Sequence, residues 1–487
     1  MDDLKEKAAK GTKWSFIYSS YSAVLGPITM VLLARFLSPT DFGYISIITI
    51  FTTISIAMAR MGFSKAIIQK ENVTKNDLDT IFWFEQLLGI TIFIIIFISS
   101  NFIAAYFRIG ELVYLIRVAS FSVLFEPIDL VFRSILKKEL YLNFYNKARM
   151  IRLTSKNLSA IILAYSGFGA LSYAIGHLIG IFALTIILFI YFYTKSFWLP
   201  SMYFSFKNLK PYLAFGIYVV GRSFTTQLIL KLDEIIIGRY LGAESLGFYH
   251  FGKRNISYIG KLITKPINLV AFPLLSKLKN NSQKFENTYF QIFKMIFSIS
   301  APAHIGLAMT SMYWIPLFFG NEWLPALNVT IIICIWSLLR RQYNSLFPAT
   351  LYSIGNSKLI FKLAVIELPI KSILLLFASQ YNIEMVAITL IFISLVKLIY
   401  FNFILAKTFK TSVLKKLGFN IKYLILNLLI MSAAIYLWFQ LTSFFNLSNF
   451  LILFFTILLG IIVYVLSLFY LERDYFYYLV RLAKKSF

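Results

Sequence analysis

The chain has 487 residues, of which 59% are hydrophobic and only 14% charged, and 47 Lys and Arg against 21 Asp and Glu give it a net charge of +26. An ordinary soluble domain carries about 25% charged residues, so a water-soluble globule is excluded, and so is a disordered chain, which needs low hydrophobicity. At about 20 apolar residues per crossing, what remains is an all-α polytopic membrane protein of about fourteen transmembrane helices.

Residues 1–13 form a mixed-charge N-terminal segment that runs into the first apolar stretch without a small-residue cleavage site, which predicts a retained first span. Windows near 14–36, 43–66, 79–104, 112–135, 150–167 and 169–193 then make up a first lobe over residues 14–193. After a linker at 194–211, windows near 212–238, 248–275, 288–316, 326–350, 359–379 and 384–406 make a second lobe over 212–406. A basic loop at 407–420, two appended spans within 421–471 (near 421–441 and 449–471) and a basic tail at 472–487 complete the chain. Runs of this length, several holding a charge or a proline, do not fit the ten-residue alternation of a β-barrel.

If the N-terminus is cytoplasmic and the sides alternate, about thirty Lys and Arg fall inside, against Arg35, Arg108 and Arg239 outside. That asymmetry puts both termini in the cytoplasm and explains the net charge without nucleic acid. No outer loop is long enough for a catalytic domain. The single cysteine, Cys334, excludes an intrachain disulfide, and there is no metal-ligand spacing, P-loop or nucleophile motif. The expectation is a chain with no cofactor, no metal site and no enzymatic activity. Sliding the sequence by 204 residues lays Ala34–Tyr44 over Gly238–Phe248, with Arg35 on Arg239, Leu37 on Leu241 and Gly43 on Gly247. Six spans separate the two segments, so the lobes are expected to be parallel, related by a pseudo-two-fold axis along the membrane normal.

Five segments carry a family resemblance: Ala34–Gly43 (ARFLSPTDFG), Gly62–Gln69 (GFSKAIIQ) with Thr80–Gly89 after it, Leu232–Tyr249 (LDEIIIGRYLGAESLGFY), Pro266–Lys277 (PINLVAFPLLSK) and Gly320–Ala326 (GNEWLPA). In order and spacing over spans one to ten they resemble the polysaccharide exporters of the multidrug/oligosaccharidyl-lipid/polysaccharide exporter superfamily, in particular the Wzx-type flippases of O-antigen and exopolysaccharide repeat units. The resemblance implies alternating access around a central hydrophilic cavity in the bacterial cytoplasmic membrane, and export of a polyprenyl-pyrophosphate-linked glycan. The implied partners are that lipid-linked oligosaccharide, membrane lipid, and the polymerase and chain-length proteins of a glycan assembly pathway. Readings that compete with it are a peptidoglycan-precursor flippase, an exporter of teichuronic or other acidic glycan, a drug/cation antiporter, and a membrane glycan polymerase or ligase.

A charge at mid-membrane costs about 2.5 to 3.5 kcal/mol on insertion scales, so each one retained in a span asks for water or a partner. Arg254, Lys261 and Lys265 recur at i, i+7 and i+11 on one face of span eight, either as a track for pyrophosphate and acidic sugars or with the outer two snorkelling to the surfaces. Arg60, Arg117, Arg222, Lys231 and Arg340 could complete a cationic substrate cavity, since a guanidinium fork suits phosphate oxygens. Arg222 lies about 15 Å inside its helix and is the strongest single candidate. Asp233, Glu126 and Asp129 are the candidate ion-coupling acids. Against that role, Glu126, Asp129 and Arg133 have the spacing of an ordinary ion-pair cluster on one helix, as do Lys231 with Glu234 and Glu367 with Lys371, whereas Asp233 has no partner at helical spacing. Pro27 is the candidate hinge, with static packing of a bent helix as the alternative. His177 reads as a packed polar residue.

Overall fold

The structure, a computed structural model, describes residues 2–59, 62–409, 413–445 and 447–486. Its helices, in chain order, are α1 (Asp2–Phe36), α2 (Pro39–Ala59), α3 (Phe63–Gln69), α4 (Lys75–Phe107), α5 (Leu112–Phe125), α6 (Ile128–Lys138), α7 (Leu142–Tyr165), α8 (Leu171–Thr194) and α9 (Phe206–Tyr240). They continue as α10 (Gly242–Leu278), α11 (Ser282–Met309), α12 (Ser311–Trp314), α13 (Leu327–Ser353), α14 (Ser357–Ala378), α15 (Ile383–Phe409), α16 (Val413–Thr442), α17 (Asn449–Leu471) and α18 (Arg473–Ser486). No strand occurs among the described residues. Nine segments there are long and apolar enough to cross a membrane, on α1, α2, α4, α8, α11, α13, α15, α16 and α17. The other expected spans fall on α5 with α6, α7, α9, α10 and α14, the helices that carry most of the intramembrane charges discussed above.

Helix ends follow local chemistry. Thr74 and Asp77 form a reciprocal capping box that starts α4, and Asn281 and Ser448 cap α11 and α17 through their side chains. The window expected as one span over 112–135 is two helices, because Glu126 and Pro127 form a turn between α5 and α6. Pro127 has no N–H to continue the ladder, and its ring obstructs the preceding turn. The charged residues ahead of residue 150, expected in a loop, instead belong to α7, which begins at Leu142.

The chain divides into two compact units, one of residues 1–250 with 367–372, the other of 251–366 with 373–487. In the first, Phe63, Ile81, Val131, Phe132, Leu136, Leu188 and Phe192 form a core cluster. Its helices approach closely where side chains are absent: a Cβ at Gly176 would lie 2.7 Å from the Lys156 carbonyl oxygen, and one at Gly180 would lie 2.9 Å from that of Arg152, so α8 presents a small-xxx-small edge to α7. A second close approach is reciprocal. A Cβ at Gly43 would fall 1.9 Å from the Ala243 carbonyl oxygen, and one at Gly247 would fall 1.8 Å from that of Pro39. The 204-residue offset, which pairs 39 with 243 and 43 with 247, carries one contact onto the other.

In the second unit, Leu275, Phe285, Tyr289, Phe347 and Leu351 form one cluster and Ala301, Met431, Ile435 and Tyr464 another. Trp323, fully buried, stacks on Phe251 with ring centroids 4.5 Å apart. Large apolar side chains such as Ile98, Phe102, Ile373 and Ile461 face outward, which a bilayer requires and water would penalise.

Candidate functional site

The densest buried charge in the first unit gathers on one stretch of α9. Asp233 and Glu234 are 1% and 2% exposed, too little for water to stabilise either charge, so their neighbours must. Glu234 Oε2 accepts a hydrogen bond from Ser46 Oγ of α2 at 2.8 Å, pairs with Lys231 Nζ at 2.9 Å, and lies 3.6 Å from His250 Nδ1 of α10. Asp233 accepts from the Tyr249 hydroxyl and faces Lys371 Nζ of α14 at 3.7 Å. Lys371 also donates to the Ile229 carbonyl at 2.6 Å. The arrangement holds two carboxylates, two ammonium groups and an imidazole, a set able to take up or pass on a proton. The Lys231–Glu234 pairing follows helical spacing. Asp233, which has no partner at helical spacing, has two drawn from other helices.

A second acidic group lies at the α5–α6 turn. Glu126 pairs with Arg152 of α7 at 2.7 Å, across helices, rather than in the single-helix cluster its spacing with Asp129 and Arg133 suggested. Asp129 and Arg133 share α6, with Glu126 at the turn that precedes it. Asp129 is buried and accepts no hydrogen bond among the described residues, although Arg133 and Arg152 stand within electrostatic reach.

The cations expected to line a cavity are spread over both units. In the first, Arg117 Nε donates to Ser100 Oγ at 3.0 Å with its guanidinium 5.2 Å from the Phe97 ring centroid, and Arg222 is exposed on α9. In the second, Arg254 Nε lies 3.4 Å from the Tyr258 hydroxyl, and Arg340 sits 4.9 Å over the Trp336 ring. Arg60 and the Lys261 side chain lie outside the described residues, and so does that of Lys265, so the ladder on α10 is described only at Arg254. Helix α1 continues through Pro27.

Sequence reasoning missed Ser46, Tyr249 and His250 as members of the α9 cluster, because partners from separate helices leave no periodic trace. It also left Arg149, Arg152 and Lys156, all three on α7, out of the candidate site. Outside the expected spans, Lys70 bridges Asp77 at 2.8 Å and Tyr212 at 3.2 Å, and the Asp77 hydrogen bond raises its ammonium pKa. Beside it, buried Asp79 receives Trp198 Nε1 at 2.8 Å and Ser201 N at 3.0 Å, which docks the linker at 194–211 onto the start of α4. Burial pushes the Tyr475 hydroxyl on α18 up to about 12.

The profile of a family described as polysaccharide biosynthesis protein matches residues 32–328. Among curated relatives, the teichuronic acid biosynthesis protein TuaB of Bacillus subtilis is 27% identical over 71% of this chain and 71% of its own length. The lipopolysaccharide biosynthesis protein WzxC of Escherichia coli is 28% identical over 70% of this chain and 69% of its own. Among solved structures, the lipid II flippase MurJ in an inward closed conformation aligns with a TM-score of 0.74 at 20% identity, covering 95% of this chain and 99% of MurJ. An inward-facing MATE transporter of the MOP superfamily aligns at 0.52 and 16% identity, over 82% of this chain and 96% of the transporter. These two likenesses concern the fold. The chain thus belongs to the polysaccharide biosynthesis protein family.

Proposed function

We propose that this protein flips polyprenyl-pyrophosphate-linked oligosaccharide repeat units from the cytoplasmic to the outer leaflet of a bacterial cytoplasmic membrane, for O-antigen, capsule or exopolysaccharide synthesis. The observation that carries this reading is family membership over residues 32–328, joined to relatives named for teichuronic acid and lipopolysaccharide synthesis. The physical problem is the headgroup. Each buried, unpaired sugar hydroxyl costs several kcal/mol in hydrocarbon, whereas a polyprenyl tail can stay in lipid throughout.

In this reading the chain has fourteen spans, a first lobe over 14–193 and a second over 212–406, both termini cytoplasmic, and spans thirteen and fourteen within 421–471. The reciprocal Gly43 and Gly247 contacts support a two-fold relation between the lobes. Arg222, Arg254, Lys261, Arg60, Arg117, Arg340 and Lys231 would bind the anionic headgroup and glycan, and the lobes would alternate access with Pro27 as a hinge. Asp233 is the first candidate for ion coupling, ahead of Glu126 and Asp129, because it shares a buried network with Lys371, Tyr249 and the Glu234 group. Polymerase and chain-length proteins of the same pathway would receive the product.

The test is complementation of a strain lacking the gene with the Arg254→Ala, Lys261→Ala double variant, reading surface glycan against membrane-inserted protein. Loss of glycan at unchanged protein level supports the cationic track, and wild-type glycan rejects it.

A further inference from the structure

Helices α1 and α7 run parallel and in register. Successive contacts join Gly11 to Leu142, Ser15 Oγ to Asn146 Nδ2 at 2.9 Å, Tyr18 to Arg149, and the Tyr21 hydroxyl to Thr154 Oγ1 at 2.5 Å. Along this seam α7 carries Lys147, Arg149, Arg152 and Lys156 and no acid, and α1 carries none after Glu6. Arg149, Arg152 and Lys156 fall at i, i+3 and i+7, one face of the helix. Among the described residues Arg152 alone of these has a carboxylate partner, Glu126. The others rest on rings: Lys147 Nζ is 4.6 Å from the Trp14 centroid, the Arg149 guanidinium 3.8 Å from that of Tyr18, and Lys156 Nζ 4.5 Å from that of Tyr173.

A ring and a carboxylate do different things to a cation. Cation–π contact fixes the position of the charge but leaves it uncompensated, whereas an ion pair cancels it. Among the described residues Arg149 gives one hydrogen bond, to Asn146 Oδ1 at 3.3 Å, so most of its five N–H groups remain available beside the Tyr18 ring. Hydroxyls of Ser15, Tyr21 and Thr154 flank it. Arg149 lies about 10 Å along α7 from Leu142, and the bare edge at Gly176 and Gly180 brings α8 against α7 at Arg152 and Lys156.

We propose that the α1–α7 seam is a binding site for a phosphate ester or pyrophosphate, with Arg149 as its principal ligand and Lys156 and Lys147 as flanking charges. Two sources offer that chemistry, the pyrophosphate of a lipid-linked glycan and the phosphodiester of a leaflet phospholipid. Only the first source depends on the function proposed above. The anion-site assignment itself stands on the seam.

The test uses the full-length protein in phosphatidylcholine nanodiscs, titrated separately with undecaprenyl pyrophosphate and with phosphatidylglycerol, binding being read by native mass spectrometry. Arg149→Gln is expected to weaken binding about tenfold, the scale of one charge-assisted contact. Weakening confined to undecaprenyl pyrophosphate identifies the substrate headgroup, and weakening in both titrations identifies a leaflet-lipid site. Either outcome supports the seam as a phosphate site. Lys156→Gln, whose ammonium is held at Tyr173 of α8, gives a second reading if Arg149→Gln does not fold, with a weakening of severalfold expected. Wild-type affinity for both probes in every folded variant overturns the proposal. Because binding is scored apart from transport, that result combined with intact glycan export would remove the seam and leave the flippase reading untouched.

Discussion

In the α9 cluster, the ammonium groups of Lys231 and Lys371 and the imidazole of His250 each have a carboxylate within 4 Å. On α7, Lys147, Arg149 and Lys156 have aromatic rings where those groups have acids. Both regions belong to the same unit, and their cationic residue types overlap. What differs is whether the charge is cancelled internally. A cancelled network is suited to holding helices together and to changing its own protonation state. An uncancelled row is suited to an anion supplied from outside, and in a low-dielectric setting that difference is amplified.

The largest effect is expected from uncancelling the α9 cluster. Asp233→Ala removes the carboxylate that faces buried Lys371 and is expected to cost about 3 to 5 kcal/mol, visible as a large fall in thermal unfolding temperature in detergent. Adding Lys371→Ala to it should recover part of that loss, and strict additivity would mean that the two groups do not interact. Glu126→Gln does the same to the one balanced cation of the seam. It should cost about 1.5 to 3 kcal/mol while tightening pyrophosphate binding severalfold, because Arg152 joins the uncompensated row. A stability loss without tighter binding would show that an uncancelled cation on α7 does not recruit an anion.

Gly180→Leu places a side chain where even a Cβ would meet the Arg152 carbonyl and Lys156 Cβ, so α7 must shift. The expected cost is about 1 to 3 kcal/mol, together with loss of anion binding through displacement of the row. Tyr18→Leu should have the smallest effect, about 0.5 to 1 kcal/mol, with weaker anion binding because Arg149 loses its platform. A binding isotherm indistinguishable from wild type would show that the ring does not position the guanidinium.

What the sequence reveals follows from the range of the forces involved. Hydropathy and length are local sums, so the all-helical membrane class and the apolar helices are legible residue by residue. The 204-residue offset also identifies Gly43 and Gly247, two glycines whose missing side chains admit reciprocal backbone contacts. Helical spacing recovers Lys231 with Glu234 and nothing further in that cluster, because Ser46, His250 and Lys371 arrive from other helices at sequence separations that carry no period. The turn at Glu126 and Pro127 was hidden for another reason: a proline within an apolar run is compatible with a bent helix as well as with a break. A hydropathy window likewise treats a charge as evidence of a loop, which concealed Lys147 and Arg149 within α7.

The central claim is translocation of a lipid-linked glycan, and its most direct test is the leaflet distribution of polyprenyl-pyrophosphate-linked repeat units after deletion of the gene, measured beside surface polymer. The account predicts that repeat units accumulate in the inner leaflet and that surface polymer is lost. A normal leaflet distribution with polymer lost would contradict it and point to polymerisation or assembly.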